Sequence, residues 1–227
     1  MSNSQTFVNP KRGYAFFDVD NTLIRINSML SFQDFWYDLY PDLNAESSYR
    51  ADLHTHLHSH ACWETVNKLY YRHFAGRSVT ALSQAGERWF RHCRSASEFY
   101  CQPVLDELRQ HQRAGYQVVF VSGSFPAVLS PIARELGVTQ ILATQLEQQE
   151  GVVTGYLTAP PMVGAGKRDA IRSLLASQGI AEVSYAYGDD VSDIPMLSVV
   201  GNPVVVAGGR LSPAQTKKLG WRLIADV

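Results

Sequence analysis

An apolar run, Tyr14-Ala15-Phe16-Phe17, leads without a break into Asp18-Val19-Asp20-Asn21-Thr22. This junction constrains the chain more than any other. A buried strand delivers two carboxylates and a hydroxyl to its C-terminal end, and in an extended chain Asp18 and Asp20 point to the same side. Two anions so close repel each other and are costly to desolvate. The tolerable solutions are a bound cation, a shared proton, or both.

Four further β-rich runs follow. Gln117–Val121 ends at Ser122-Gly123-Ser124, Thr139–Leu142 is shorter, Val183–Tyr187 ends at Gly188-Asp189-Asp190, and Asn202–Val206 ends at Ala207-Gly208-Gly209. Near-continuous apolar strands suit a parallel sheet covered on both faces. Between them the patterning predicts helices over 103–113, 126–136 and 167–177, the second kinked or split by Pro131. Glu147–Leu157, with Gly151 and Gly155, reads as a hairpin. Strands alternating with helices predict an α/β fold with a doubly wound parallel sheet.

Residues 29–95 interrupt the alternation. Phe32, Phe35, Trp36 and Leu39 recur at helical spacing, as do Trp63, Val66, Tyr70 and Phe74, and then Val79, Leu82, Gly86, Trp89 and Cys93. About three amphipathic helices are expected, forming an inserted helical cap. Residues 1–28 and 96–227 then make up the α/β core. The aromatic stripes read as core rather than as a ligand box.

Composition narrows the function classes. Lys plus Arg number 20 against 21 Asp plus Glu, a net charge of −1, so no basic excess points to nucleic acid. No stretch approaches the ~18–20 apolar residues of a membrane-spanning helix, and the first residues lack a signal-peptide core. Cys62, Cys93 and Cys101 form no C-x-x-C pair, which argues against a disulfide framework or a zinc site; a reducing cytoplasm is the expected compartment.

Ligands in open α/β sheets bind beyond the carboxyl ends of the strands. Asp18/Asp20/Thr22, Ser122/Gly123/Ser124 and Asp189/Asp190 with Asp193 all fall there, and Lys167 opens a helix at the same edge. Each alone reads as a solvated turn or a helix cap; together, in this order, they are hard to assign to chance. Gly164-Ala-Gly166-Lys167 is not a P-loop, since Pro161 and Arg168 occupy positions that need Gly and Ser or Thr. His54, His56, His58 and His60 form two i,i+4 pairs on a helix. With no third ligand nearby they read as a solvated surface or as one histidine facing a cleft.

The set Asp-x-Asp-x-Thr, Ser-Gly-Ser, Lys and Gly-Asp-x-x-x-Asp resembles the haloacid dehalogenase superfamily, and with a helical cap after the first strand it resembles the phosphoserine-phosphatase-like branch (subfamily IB, C1 cap). The resemblance implies a phosphatase acting on a small-molecule phosphate ester. Asp18 would be the nucleophile and would form an aspartyl-phosphate, with Asp20 as general acid and base. Dehalogenases that cleave carbon–halogen bonds lack an acid at that position, so Asp20 favours phosphate esters. The resemblance further implies Mg²⁺ held by Asp18, the Asp20 backbone carbonyl and Asp189, with Asp193 fixing waters or Lys167. Lys167 would neutralise the transferring oxygens, and Thr22, Ser122 and the Gly123 N–H would hold the phosphate. Asp190 reads as a local hydrogen-bonder.

Phosphoserine phosphatases carry a glutamate nine residues after the nucleophile; here that position is Asn27, a departure that counts against phosphoserine itself. Arg25, Asn27 and Arg50 are the candidate specificity residues. Two alternative readings are a phosphotransferase to an acceptor other than water and a phospho-acceptor signalling module, which Asp20 and the cap disfavour. The physiological ester and the oligomeric state are not legible in the sequence.

Overall fold

The computed structural model describes residues 12–58, 62–176 and 179–225. After β1 (Tyr14–Phe17) come helices α1 (Ser28–Leu39), α2 (Leu43–His58), α3 (Trp63–Arg72), α4 (Val79–Arg94) and α5 (Gln102–Ala114). Then follow β2 (Gln117–Ser122), α6 (Pro126–Leu136), β3 (Gln140–Ala143), a hairpin of β4 (Leu146–Gln149) and β5 (Val152–Leu157), and α7 (Ala165–Leu175). The chain closes with β6 (Tyr185–Gly188), a 3-10 turn over Val191–Asp193, α8 (Ile194–Leu197), β7 (Asn202–Val206), α9 (Pro213–Leu219) and β8 (Arg222–Ile224).

Six strands form one parallel sheet in the order β3-β2-β1-β6-β7-β8. The order reverses between β1 and β6, so the crevice beyond their C-terminal ends is where such a sheet binds ligands. Alternation along the strands feeds two cores. Ala15, Phe17, Val118, Phe120 and Tyr187 enter one; Tyr14, Phe16, Val119, Val121 and Ala186 enter the other. Both faces are therefore covered, which explains the unbroken apolar runs. The first core continues into Phe32, Tyr70 and Trp89 of α1, α3 and α4 and into Phe74 just after α3, so these aromatic stripes are packing residues.

The structure corrects several local expectations. Four helices, not three, lie between β1 and α5 among the described residues. The additional one, α2, has no continuous apolar stripe: Tyr49 is buried while Leu43 is 80% exposed. An eighth strand, β8, adds an edge to the sheet; it is only three residues long, too short to carry a pattern. Val183 lies outside β6 and is exposed. The hairpin turns on Glu150 and Gly151, both at positive φ, as a two-residue primed turn requires.

Pro131 does not split α6, which runs unbroken over Pro126–Leu136. A proline at 131 leaves the carbonyl of Ala127 without its usual donor four residues on. That oxygen lies against Gly86 of α4, where a Cβ would sit only 1.9 Å from it. The absence of a side chain at Gly86 lets the two helices meet backbone to backbone.

Candidate active site

β1 ends at Phe17, yet the Asp18 N–H still donates to the Tyr187 carbonyl at 3.0 Å, so Asp18 leaves the sheet in register with β6. The chain then turns. Asn21 adopts φ +58°, a left-handed conformation that asparagine tolerates, and the Val19 carbonyl accepts from Leu23 and Ile24 at 2.9 and 3.0 Å. Asp18 and Asp20 both line the cleft, as the sequence predicts, just beyond the C-terminal end of β1.

Lys167, in the first turn of α7, is buried, with its Nζ 2.6 Å from Asp18 Oδ1 and 2.7 Å from Asp193 Oδ1. The other Asp193 oxygen accepts the backbone N–H groups of Asp189 and Asp190, each at 3.2 Å. Asp193 therefore has both oxygens engaged and acts as a brace between α7 and the β6 loop. The Thr22 hydroxyl lies 2.8 Å from Asp189 Oδ1 and 3.2 Å from Asp18 Oδ2, and its side chain is fully buried. It orients the two carboxylates and does not line the cleft where a phosphate would sit.

Ser122 and Gly123 line the cleft after β2. Ser122 Oγ accepts from the Ser124 N–H at 3.1 Å, which leaves its own proton free for a ligand. The Gly123 carbonyl accepts from Asn67 Nδ2 at 2.9 Å and from the Tyr71 hydroxyl at 3.0 Å, so α3 fixes the peptide unit of this loop.

Burial, reinforced by Asp193 and Asp189, pushes the Asp18 carboxyl well above its ordinary range, against the pull of Lys167. Burial also raises Asp20, while hydrogen bonds from Ser28, its N–H at 3.0 Å, oppose the rise. Asp189 is pushed up to about 7 by burial and by Asp193. Burial alone would lower Lys167, but Asp18 and Asp193 outweigh it and hold the ammonium protonated. Burial would raise Asp190 too, but the bidentate Arg210 pair at 2.6 and 2.8 Å and the Ser192 N–H hold it below its usual value.

Asp18, Asp189 and Asp193 each offer a carboxylate oxygen, the three within 4.8 Å of one another. Lys167 pairs with Asp18 and Asp193 but not with Asp189, so the cluster keeps an excess of negative charge that suits a cation. Hard anionic oxygens are the donors Mg²⁺ prefers.

Of the candidate specificity residues, only Asn27 lines this cleft, and its Oδ1 caps α1 by accepting from the Leu30 N–H at 3.0 Å. Arg25 lines neighbouring cavities. Arg50 is an exposed residue of α2 paired with Glu46 and Asp34, away from the cleft. In the histidine run, His56 Nδ1 lies 2.9 Å from the Asp52 carbonyl of its own helix. His60 lies outside the described residues, and no histidine joins a metal-binding cluster among those described. Sequence reasoning missed Ser28, Asn67, Tyr71 and Gly209. At Gly209 a Cβ would sit 2.2 Å from Asp189 Oδ2, and the only signal in the sequence was the glycine pair after β7.

Residues 15–198 match the family of haloacid dehalogenase-like hydrolases. The chain belongs to that family. This haloacid dehalogenase-like hydrolase is 30% identical over 222 residues to the Mycobacterium tuberculosis (strain ATCC 25618 / H37Rv) protein named phosphoserine phosphatase SerB1; the alignment covers 92% of this chain and 69% of the relative. It is also similar to a solved structure from Bordetella pertussis Tohama I, a protein with unknown function, with TM-score 0.80 and 28% identity over 94% of this chain and 98% of that one. A phosphoserine phosphatase solved as a phospho-aspartyl intermediate analogue shares the fold, with TM-score 0.63 and 17% identity over 96% of this chain and 95% of the other. The hydrolase is thus a phosphatase of the phosphoserine-phosphatase-like branch. Among the described residues no helix is long and apolar enough to cross a membrane.

Proposed function

We propose that this phosphatase is a Mg²⁺-dependent phosphomonoesterase acting through an aspartyl-phosphate. A carboxylate oxygen of Asp18 attacks phosphorus, a P–O bond forms, and the ester P–O bond breaks as Asp20 gives its proton to the leaving oxygen. Asp20, now a carboxylate, takes a proton from the water that releases phosphate from Asp18. The observation that carries this reading is the different surroundings of the two acids. Asp18 is paired with Lys167 at 2.6 Å, an ammonium that opposes the rise burial imposes on its carboxyl and favours the ionised nucleophile. Asp20 has no cation bonded to it and lines the same cleft, its Oδ1 accepting the Ser28 N–H at 3.0 Å, a place from which a proton can pass to the leaving oxygen.

Lys167 neutralises the negative charge gathered around the transferring oxygens, while the Ser122 hydroxyl and the Gly123 N–H orient them. Asp18, Asp189 and the Asp20 backbone carbonyl would hold Mg²⁺, whose charge offsets that of the phosphoryl oxygens when bound. Residues 29–95 serve as a cap over the cleft, covering it during reaction. The substrate is a small phosphorylated metabolite.

The test is hydrolysis of p-nitrophenyl phosphate. Activity is expected to disappear in Asp18→Asn, and to disappear with EDTA and return with Mg²⁺. Full turnover in Asp18→Asn would remove Asp18 as nucleophile, and full turnover in EDTA would remove the metal.

A further inference from the structure

The cleft encloses about 130 Å³ and opens to solvent, so a leaving group reaches from the acids toward its mouth. Its inner end carries the acids, Lys167, Ser122 and Gly123. The opposite wall, where a leaving group must lie, is built by Met29, Leu30, Leu53, Trp63, Val66 and Tyr70 from α1, α2 and α3.

The polar atoms on that wall are nearly all committed. The Tyr70 hydroxyl donates to the Met29 carbonyl at 2.7 Å, Asn67 Nδ2 donates to Gly123, and Asn27 Oδ1 caps α1. Among the described residues no guanidinium lines the cleft, and its one ammonium, Lys167, is already shared by two carboxylates. Asp190 at the rim is neutralised by Arg210, whose guanidinium also lies over the Trp63 ring, 5.3 Å from its centroid. The donors that remain for a leaving group are neutral: the side-chain amides of Asn27 and Asn21 and the Trp63 indole N–H.

An amino-acid leaving group carries an ammonium and a carboxylate. Here neither finds a partner on the described wall, and a charge desolvated without a partner binds weakly. A hydrocarbon or aromatic group, in contrast, buries its surface against six apolar side chains. The geometry points to a phosphomonoester whose leaving group is uncharged and apolar or aromatic, with at most neutral acceptors for the Asn27, Asn21 and Trp63 donors. This inference rests on the phosphatase reading and names its substrate class.

The test separates binding from turnover. Affinities of the full chain with Mg²⁺ are measured by calorimetry for 2-phenylethylphosphonate and for L-2-amino-4-phosphonobutyrate, the phosphonate isostere of phosphoserine. The phenylethyl compound is expected to bind about 100-fold more tightly, the scale of an unpartnered charged group, and Leu53→Glu is expected to shrink that ratio. Equal or tighter binding of the amino-acid phosphonate, or no binding of either, overturns the inference. The p-nitrophenyl phosphate assay reports separately on the phosphatase reading. A protein that hydrolyses that ester yet prefers the amino-acid phosphonate keeps the function and loses the substrate class.

Discussion

Asn67 donates its side-chain amide to the Gly123 carbonyl at 2.9 Å, and Tyr71, one helical turn on, donates its hydroxyl to the same oxygen at 3.0 Å. A helix from the segment before α5 thereby sets the plane of the peptide that follows β2. That carbonyl belongs to the Gly123–Ser124 peptide, so two donors on it anchor the loop on whose preceding peptide the Gly123 N–H is offered to a phosphate. Removing Asn67 leaves the buried acceptor with Tyr71 alone, a loss of about 1 kcal/mol. Asn67→Ala is therefore expected to raise KM for p-nitrophenyl phosphate, and the inhibition constant of inorganic phosphate with it, by roughly 5-fold. Because the two donors share one acceptor, the double variant with Tyr71→Phe should depart from additivity. Unchanged phosphate inhibition in Asn67→Ala would show that the loop holds its shape without α3.

Lys167 bridges Asp18 and Asp193 inside the protein, at 2.6 and 2.7 Å. Taking it away leaves two buried carboxylates facing each other and removes the positive charge next to the attacking oxygen. Lys167→Met is expected to lower kcat on the order of 10²–10³-fold, as loss of one preorganised charge-stabilising group does. It should also cost about 3 kcal/mol of stability in EDTA, the scale for breaking a buried ion pair. Lys167→Arg should not restore kcat, because a planar fork cannot stand in for a point charge between two oxygens so close. Steady-state kinetics and urea denaturation read the two effects separately, and an active Lys167→Met enzyme would remove this residue from the chemistry.

Burial, with Asp193 alongside, pushes the Asp189 carboxyl up to about 7. Its raised value means that the folded protein disfavours the ionised form. The associated stability is present below the ordinary carboxylate range, near 4 on the model-peptide scale, and is lost as pH rises through about 7. A divalent cation acts in the opposite sense, since it binds the ionised carboxylate. The increase in Tm on adding Mg²⁺ should therefore be larger at about pH 8 than at about pH 5.5, and apparent Mg²⁺ affinity should fall by up to about tenfold per unit below pH 7. Thermal denaturation across a Mg²⁺ titration at both pH values measures this. Equal shifts at both would exclude Asp189 as a ligand.

What the sequence reveals here follows the range of the interactions. The carboxylates at the ends of β1 and β6 are legible because an apolar run followed by an acid is a local signal, and the parallel sheet follows from the same runs. Lys167 is legible only through its resemblance to a family, since it meets Asp18 across 149 positions of chain. The bonds from Ser28 to Asp20 and from Asn67 and Tyr71 to Gly123 join elements that only the tertiary fold brings together, and no spacing rule reports them. Helix α2 hides for a different reason: it buries Tyr49 but lacks a continuous stripe, so periodicity is silent. Arg50 looked like a substrate contact because it is cationic and near the cleft in sequence, yet its partners are Glu46 on its own helix and Asp34 on α1.

At Gly86 the local rule and the tertiary contact predict opposite signs. Glycine inside a helix is unfavourable relative to alanine by roughly 1 kcal/mol, so Gly86→Ala taken alone should stabilise α4. In the folded protein the new methyl would lie 1.9 Å from the Ala127 oxygen and 2.7 Å from its carbon, both backbone atoms that no rotamer change can move. The helices α4 and α6 would have to part, opening the apolar contact around Phe32, Trp89 and Phe125 and costing several kcal/mol on the scale of overpacked and then voided cores. The contact outweighs the propensity. Gly86→Ala is expected to be destabilised by about 2 kcal/mol net, which for a chain of this size lowers Tm by roughly 4–8 °C. Exchanging Pro131 for alanine in the same background gives the Ala127 carbonyl an intrahelical donor, but it does not move that carbonyl away from residue 86, so the double variant should stay destabilised. Calorimetric Tm values for the single and double variants decide the matter, and a Gly86→Ala protein as stable as the parent would show that α4 and α6 can separate at little cost.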